Sequence, residues 1–269
     1  MERRFVKVEK GLGPQGRIAI VRFDRGDNIN ALSQQAMREL RDVPRDFEDD
    51  LETSVVILTG SAKAFSAGFD LKDTESRARD GLPIGERIQR QRMGPRMCKA
   101  WEEMDQVTIA AIEGHCVGGG AALVVALDFR FCGTGAHFRI PEIELGMNMS
   151  WGSIPRLLAL MGPARTKQAV ILASDRIAAA DALAWGLVEK VVDDGQALPE
   201  ALAFAGRIAL QPPIPVRMTK ASVNRLAHAL DDLAAHMDAD QNVLTGLTED
   251  YREGTTAFRE KRKPVFKGR

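Results

Sequence analysis

The chain has 269 residues, of which 45% are hydrophobic and 28% are charged, so it can bury the core of one large globular domain. Its 37 Lys and Arg residues balance 37 Asp and Glu residues, which argues against binding to nucleic acid or to an acidic membrane. No apolar stretch approaches the ~20 residues of a membrane span, and the N-terminus lacks the apolar run of a signal peptide. The three cysteines lack metal-ligand or redox spacing, so we expect reduced thiols and a cytoplasmic protein.

Buried strands alternate with turns and helices in the first half of the chain. Residues 17–23, 55–59 and 107–112 are apolar and rich in β-branched side chains, which predicts strands buried on both faces. A short strand at residues 5–9 and a glycine-rich turn predict a hairpin with the first of them. Ser33 is the expected N-cap of the next helix. Because crossovers between parallel strands need the length of a helix, this order predicts a parallel sheet with helices packed outside.

The second half of the chain changes from short strands to helices. Strands are predicted at residues 129–132, 137–140 and 187–192, and helices at residues 151–161, 164–172 and 178–185. Residues 148–150 are the expected cap of the first of these helices. From about residue 198 the strand patterns cease, so we divide the chain into an α/β core at residues 1–200 and a helical region at residues 201–269. The arginine-rich segment at residues 73–96 predicts either a mobile lid or a solvated helix.

Two turns that lead from a strand into a helix carry little side-chain bulk. Gly118, Gly119 and Gly120 form one turn, and Gly68 lies among small residues in the other. Glycine lets a ligand approach the backbone closely, and a helix N-terminus presents free N–H groups and the positive end of its dipole. Each turn alone fits a structural tight turn as well as an anion site. Together, two converging amides would form an oxyanion hole, which stabilises negative charge that develops during a reaction.

Six segments of the sequence, in this order, resemble the crotonase superfamily, also called the enoyl-CoA hydratase/isomerase family. They are N-A-L at residues 30–32, K-A-F-S-A-G-F-D-L-K at residues 63–72, I-E-G-H-C-V-G-G-G at residues 112–120, P-E-I-E-L-G at residues 141–146, A-W-G-L-V at residues 184–188 and A-F-R-E-K-R-K-P-V-F at residues 257–266. The resemblance covers nearly the whole chain. The combination of motifs is highly specific, although each motif alone is not.

The resemblance implies an α/β fold, the crotonase-like stacked ββα superhelix, with a C-terminal α-helical region that assembles trimers. It implies a homotrimer, or a hexamer built as a dimer of trimers, and a coenzyme A thioester as the substrate. Chemistry on such a thioester places enolate charge on its oxygen, which two fixed amides in a dry pocket stabilise. This chemistry needs no metal or redox cofactor, and the sequence shows no ligand set for either.

The resemblance also assigns roles to individual residues. The family's two oxyanion amides correspond here to Phe69 and Gly119. The matching contacts to coenzyme A are Asn30, Ala31, Ala67, Gly68, Asp70, Leu71, Lys72 and Gly118, together with Phe258 and Lys261 of the basic tail. In the family the two tail residues often come from a neighbouring subunit. For Asp70 the alternative is a carboxylate in the first turn of a helix.

The acid–base residue is the point at which this sequence departs from the family. Hydratases of the family use two glutamates; the second is present as Glu142, whereas Ala122 occupies the position of the first. A single carboxylate with a pKa raised by burial favours a proton shuttle that moves a double bond from the 3 to the 2 position. Glu144, Ser150 and His115 are the candidates for replacing the missing acid.

The sequence leaves other functions open. The first alternative is an enoyl-CoA hydratase, a lyase, in fatty-acid or related acyl-CoA catabolism. The fold also allows hydrolysis or C–C cleavage of a thioester or diketone, since a fold alone does not determine function. The alternative from another class is a non-catalytic coenzyme A-binding or scaffold protein, against which the retained Gly119 and Glu142 argue.

Overall fold

The computed structural model describes residues 3–77, 81–173 and 175–269, and the strands within these ranges form two sheets. The larger sheet has the order β1 (Val6–Leu12), β2 (Ile18–Phe23), β3 (Val55–Thr59), β5 (Val107–Ile112), β7 (Phe129–Gly133) and β10 (Lys190–Val192). The smaller sheet has the order β4 (Ala64–Ser66), β6 (His115–Val117), β8 (His137–Arg139) and β9 (Ile177–Ala178). β1 and β9 pair antiparallel with their neighbours, and the other pairs are parallel. This confirms the predicted hairpin and parallel sheet.

Helices connect the strands and form the end of the chain. They are α1 (Gln34–Asp42), α2 (Thr74–Arg77), α3 (Ile84–Gln91), α4 (Met93–Glu102), α5 (Gly119–Val124), α6 (Ser153–Ile171), α7 (Ala179–Trp185), α8 (Ala197–Ala209), α9 (Pro213–Ala227), α10 (Asp231–Ala235), α11 (Asp238–Thr245) and α12 (Glu249–Glu260). Within the described ranges, none of them is both long and apolar enough to cross a bilayer. The three cysteines are buried and form no disulfide.

The chain passes from the larger to the smaller sheet three times and returns each time through helices. β3 leads to β4 and α2–α4, β5 leads to β6 and α5, and β7 leads to β8 and α6, after which β9 and α7 precede β10. The passage from β5 to β6 depends on Gly114, which has a φ of +60° and lies against the Lys63 carbonyl with no room for a Cβ. The three ββα units are the stacked arrangement that the sequence resemblance implied.

Helices cover the larger sheet on both faces. All residues of β3 and β5 are buried, as expected for a parallel sheet with two covered faces. One face packs against Met37 and Leu40 of α1 and Trp101 of α4. The other face packs against α8, whose buried alanines recur every fourth residue, at Ala197, Ala201, Ala205 and Ala209. Helix α8 thus crosses the predicted boundary at residue 200, and the two-part division of the chain stays a prediction.

Some local predictions agree with the structure, and others differ from it. Ser33 caps α1 as predicted, by accepting a hydrogen bond from the Ala36 amide at 3.2 Å. β4, β6 and β9 were not predicted, because two or three residues are too few to show a strand period. Residues 148–150 do not cap α6, whose N-cap is Gly152 in a left-handed conformation. The polar segment at residues 73–96 contains α2, α3 and the start of α4, and its residues 78–80 lie outside the described ranges.

Helix α12 is anchored against the segment that follows β8. Thr248 caps its N-terminus by accepting a hydrogen bond from the Tyr251 amide at 3.1 Å. Gly254 lies against the 3-10 turn at Ile143–Leu145, where an added Cβ would come within 2.7 Å of the Leu145 carbonyl carbon. This close backbone contact places Phe258, in the last turn of α12, beside the residues that follow β8.

Gly254→Ala and Gly206→Ala form a matched pair of helical substitutions. Gly206 lies in α8, where an added Cβ would make an ordinary 3.7 Å contact with Pro14, so alanine should stabilise the protein by about 0.5–1 kcal/mol through helix propensity. At Gly254 alanine should destabilise it by about 1–3 kcal/mol, because the added methyl group meets backbone. Chemical denaturation measures both free energies of unfolding, and equal effects would contradict the close packing of α12.

Candidate active site

Three successive ββα units bring their turns to one edge of the smaller sheet. β4, β6 and β8 are parallel, and their carboxyl ends lead to Gly68, Gly118 and Glu142. β6 lies between the other two strands, and the Gly118 amide donates a 2.8 Å hydrogen bond to the carbonyl of Arg139 in β8. The fold therefore collects at one edge three turns that are distant in sequence.

The two glycine turns touch at a point where side chains would not fit. A Cβ at Gly68 would lie 2.6 Å from the Val117 carbonyl oxygen and 3.2 Å from the Gly119 amide nitrogen, and Gly68 has a φ of +84°. Glycine adopts this φ without strain and leaves room for the contact. Because Gly68 directly precedes Phe69, the amides of Phe69 and Gly119 are close neighbours.

Both of these amides are available to a ligand. Gly119 is the first residue of α5, so its N–H has no acceptor within the helix. The bridge between Leu32 and Phe69 uses the Gly68 carbonyl and the Asp70 amide. Among the described residues, none accepts a hydrogen bond from the Phe69 N–H. Within the described part of the chain, two neighbouring backbone donors are thus left without acceptors, as the predicted oxyanion hole requires.

Glu142 places its carboxylate directly beside these turns. A Cβ at Gly118 would lie 2.8 Å from Glu142 Oε1. Oε2 is shielded from water and has no hydrogen-bond partner in the described part of the chain, although the residue as a whole is half-buried. Burial raises the pKa of Glu142 to about 7, and the positive charge of Arg139 opposes this shift. A carboxyl group with this pKa exchanges protons readily near neutral pH.

The other carboxylates of the cavity have cationic partners. Arg139 donates a hydrogen bond to Glu144, and Arg25 donates one to Asp70 at 2.7 Å. Ala122, which the resemblance places at the position of the first glutamate of the family's hydratases, also lines the cavity. Among the described residues that line this cavity, Glu142 is therefore the one carboxylate without a cationic partner.

Two further candidates for the missing acid lie in different surroundings. Ser150 lines the cavity and is buried, but a hydroxyl group is a far weaker acid than a carboxyl group. His115 lies on β6 outside the cavity lining, and its Nδ1 is 2.7 Å from Nε2 of His137 on β8. The structure therefore does not bring His115 to the site.

The cavity at this edge has a volume of about 280 Å³. The predicted site residues that line it are Ala31, Ala67, Gly68, Phe69, Asp70, Leu71, Lys72, Gly118, Gly119, Glu142 and Phe258. Phe258 reaches the cavity from α12 of the same chain, and Asn242 of α11 and Tyr251 of α12 line it too. The helical region at the end of the chain thus contributes to the site.

Two predicted contacts to coenzyme A, Asn30 and Lys261, do not line this cavity. Asn30 is fully buried, and its side-chain amide donates hydrogen bonds to the carbonyls of Phe23 at 2.8 Å and Ala64 at 3.2 Å. The motif residue Asn30 therefore holds its loop in place rather than facing a ligand. Lys261 is exposed at the C-cap of α12, and its contact with coenzyme A in a neighbouring subunit stays a prediction.

Asp70 belongs to a polar cluster at the edge of the cavity. Burial raises its pKa, but hydrogen bonds from Arg25 and from the Lys72 amide outweigh this and hold the pKa of Asp70 below its ordinary value. Arg25 also pairs with Asp27, with its Nε 3.2 Å from Asp27 Oδ2. Because α2 begins at Thr74, Asp70 is not in the first turn of a helix, and that alternative interpretation was wrong.

A cluster away from the cavity has the composition of a metal site. Glu102, His228 and Asp231 place possible ligand atoms within 4.8 Å of one another, which the sequence spacing did not reveal. Arg156 pairs with Glu102 at 2.6 Å, and His228 Nδ1 lies 2.8 Å from Asp231 Oδ2. These groups therefore already satisfy one another within the protein.

Sequence reasoning missed Trp151 as a site residue. This tryptophan lines the cavity and is 7% exposed. It was predicted as the first residue of a helix, but it precedes α6 and has a φ of +64°. The glycine that follows, Gly152, was the one available signal of an irregular backbone.

Comparison with known proteins defines the class to which this fold and site belong. The family model described as enoyl-CoA hydratase/isomerase matches residues 13–269. The chain therefore belongs to the enoyl-CoA hydratase/isomerase family, as the sequence motifs predicted.

Individual relatives match the chain over nearly its whole length. The crotonyl-CoA hydratase of Syntrophomonas wolfei is 34% identical over 256 residues, which cover 95% of this chain and 96% of the relative. The short-chain-enoyl-CoA hydratase of Clostridium acetobutylicum is 32% identical over 265 residues, which cover 98% of this chain and 97% of the relative. The crystal structure of carnitinyl-CoA hydratase from Mycobacterium avium covers 100% of both chains with a TM-score of 0.83 and 29% identity. The chain is accordingly an acyl-CoA enzyme of this family.

Glu142→Gln should change how the free energy of unfolding depends on pH. The pKa of Glu142 is about 7 in the folded protein, against an ordinary value of 4.5, so the folded state binds this proton more tightly than the unfolded chain. The contribution of this proton to the stability of the folded state is complete below pH 4.5 and is lost as the pH rises through about 7. Glutamine stays uncharged, so between pH 5 and 8 the variant should gain roughly 1–2 kcal/mol relative to wild type.

Urea denaturation at a series of pH values measures this difference. Glu200→Gln removes a half-buried carboxylate that pairs with Lys190 outside the cavity lining, and it controls for the change in net charge. An identical pH dependence in both variants would contradict the burial of the Glu142 carboxylate.

Proposed function

We propose that this enzyme moves a double bond within the acyl group of a coenzyme A thioester, from the 3 to the 2 position, with Glu142 as its acid–base residue. The observation that carries this proposal is a single unpaired, buried carboxylate beside two free amides, with Ala122 in place of a second glutamate. One group that takes and returns a proton suffices for isomerisation. Hydratases of the family that this sequence resembles use two glutamates.

The proposed reaction begins with removal of a proton. The ionised Glu142 carboxylate takes a proton from C2 of a 3-enoyl thioester, and the electron pair of that C–H bond joins the conjugated system. The thioester oxygen then carries the negative charge of a dienolate. Hydrogen bonds from the amides of Phe69 and Gly119 stabilise this charge, and loss of one such donor typically costs ~10²–10³ in rate.

The second step returns the same proton to a different carbon. The Glu142 carboxylic acid protonates C4, so the double bond lies between C2 and C3 and Glu142 is ionised again. A base must be charged to accept a proton, and its conjugate acid must release that proton readily. A pKa of about 7 serves both steps near neutral pH. The reaction requires neither a redox cofactor nor a metal.

The edge of the cavity offers groups suited to coenzyme A. Lys72 lines it, and Arg25 lies next to Asp70; cationic side chains of this kind bind phosphate groups. Phe258 lines the same cavity and is more than half exposed. We infer that Phe258 packs against the apolar part of the coenzyme.

We also infer a homotrimer, or a hexamer of two trimers, assembled through the helical region. Large apolar side chains on and next to α9 and α10 are more than half exposed in the isolated chain, namely Met218, Val223, Leu226, Leu230 and Leu233. Soluble monomers rarely expose many such side chains together, whereas oligomer interfaces bury them.

Hydration of a 2-enoyl thioester is the second candidate reaction. The names of the relatives favour it, since they are called hydratases. Glu142 would then activate a water molecule without help from a glutamate at position 122. Assays with both a 3-enoyl and a 2-enoyl thioester separate the two candidates.

Glu142→Gln should lower kcat/KM for a 3-enoyl thioester by about 10²–10⁴, because this change removes the acid–base group. In wild type, kcat/KM should rise with pH and level off above about 7, as the Glu142 carboxylate ionises. Formation of the conjugated 2-enoyl product, followed by its ultraviolet absorbance, measures both effects.

Glu200→Gln, which lies outside the cavity lining, is the matched control and should keep the wild-type rate and pH profile. Binding of a saturated acyl-CoA should survive in Glu142→Gln. Normal turnover by Glu142→Gln would refute the role of this residue. Faster hydration of the 2-enoyl thioester than isomerisation of the 3-enoyl thioester by wild type would favour the hydratase.

A further inference from the structure

Trp151 has a backbone conformation that is rare for a large side chain. Its φ is +64°, and Gly152 follows with a φ of +67°. Aromatic residues seldom adopt this region, and such strain persists where the surrounding contacts enforce it, often at a functional site. Contacts to both the backbone and the ring of Trp151 enforce it here.

Hydrogen bonds from two helices hold the backbone of this turn. Arg156 Nη1 donates to the carbonyl of Trp151 at 2.9 Å and to that of Gly152 at 3.2 Å. Asp238 of α11 accepts a 2.7 Å hydrogen bond from the Gly152 amide. Arg156 is itself buried and paired with Glu102 of α4. The turn is therefore fixed to its surroundings on two sides.

The indole ring lies between two helices, each of which contributes a glycine. A Cβ at Gly119 of α5 would lie 2.5 Å from Cζ3 of the ring, and a Cβ at Gly94 of α4 would overlap the ring. A single added methyl group on either helix would displace it. These contacts hold the Trp151 ring in the wall of the cavity.

The contact with Gly119 places the ring next to the position proposed for the reacting atoms. A thioester oxygen that accepts a hydrogen bond from the Gly119 amide lies about 2.9 Å from that nitrogen, so the first acyl carbons lie within reach of the ring. The cavity of about 280 Å³ is slightly smaller than the ~300–1,000 Å³ common for ligand pockets. The ring therefore occupies space that a longer acyl chain would need.

We propose that Trp151 determines acyl-chain specificity by closing the acyl end of the cavity, so that the enzyme accepts thioesters of small acyl groups and excludes long ones. This inference rests on the proposed action on acyl-CoA, but it holds for isomerisation and for hydration alike. A tryptophan with a purely structural role would fill the space between α4 and α5 without lining the cavity.

Binding of two saturated thioesters to the full-length protein tests this proposal, because neither has a double bond to react. Calorimetry gives the Kd of butanoyl-CoA and of decanoyl-CoA, and their ratio measures the preference for chain length. Wild type should bind butanoyl-CoA at least about tenfold more tightly. Trp151→Gly, which suits the positive φ, should shift the ratio at least about tenfold towards decanoyl-CoA. Trp151→Phe, with a smaller ring, should shift it in the same direction by a smaller factor.

Trp185→Phe is the matched control, because Trp185 lies at the end of α7 beneath Arg165 and outside the cavity lining. It should keep the wild-type ratio. An unchanged ratio in both Trp151 variants would overturn the inference, and Trp151→Phe decides the matter if thermal unfolding shows that Trp151→Gly does not fold. Failure of wild type to bind either thioester would overturn the proposed function as well. Binding with an unchanged ratio would overturn only the role of Trp151.

Discussion

The site depends on three glycines at one edge of the smaller sheet, at positions where a side chain would not fit. Turns from three successive ββα units meet there, where Gly68, Gly118 and Gly119 carry no Cβ. A Cβ at Gly68 would push two of the turns apart and separate the amides of Phe69 and Gly119. A Cβ at Gly118 would displace the Glu142 carboxylate, and one at Gly119 would displace the Trp151 ring. The close packing of the fold and the chemistry of the site therefore depend on the same backbone contacts.

Burial then determines what this arrangement can do. The Glu142 carboxylate has an oxygen with no partner in the described chain, and burial raises its pKa to about 7. Glu144, two residues further on, is paired with Arg139. Ala122 adds no acid, and Trp151 fills part of the wall beside the two free amides. Among the described residues, the cavity therefore combines one carboxylate that has no cationic partner with the backbone of Phe69 and Gly119.

The strands and motifs could be read from the sequence where the pattern is local. β3 and β5 coincide with the predicted strands, because apolar β-branched runs next to glycine turns are distinctive. Asn30 matched a ligand position by its motif, whereas in the structure its side chain bonds to the carbonyls of Phe23 in β2 and Ala64 in β4. The position of Trp151 depends on Gly94 and Gly119 from two separate helices, and no local pattern encodes that contact.

We expect the buried Glu142 carboxyl group to exchange its proton near neutral pH beside the two amides. Carbon-13 NMR of protein labelled at the glutamate carboxyl groups measures this directly, with Glu142→Gln to assign the signal. One resonance should titrate near pH 7, be absent from the variant and move when a saturated acyl-CoA binds. A Glu142 signal that titrates near the ordinary glutamate value of 4.5 and does not respond to the thioester would contradict this expectation.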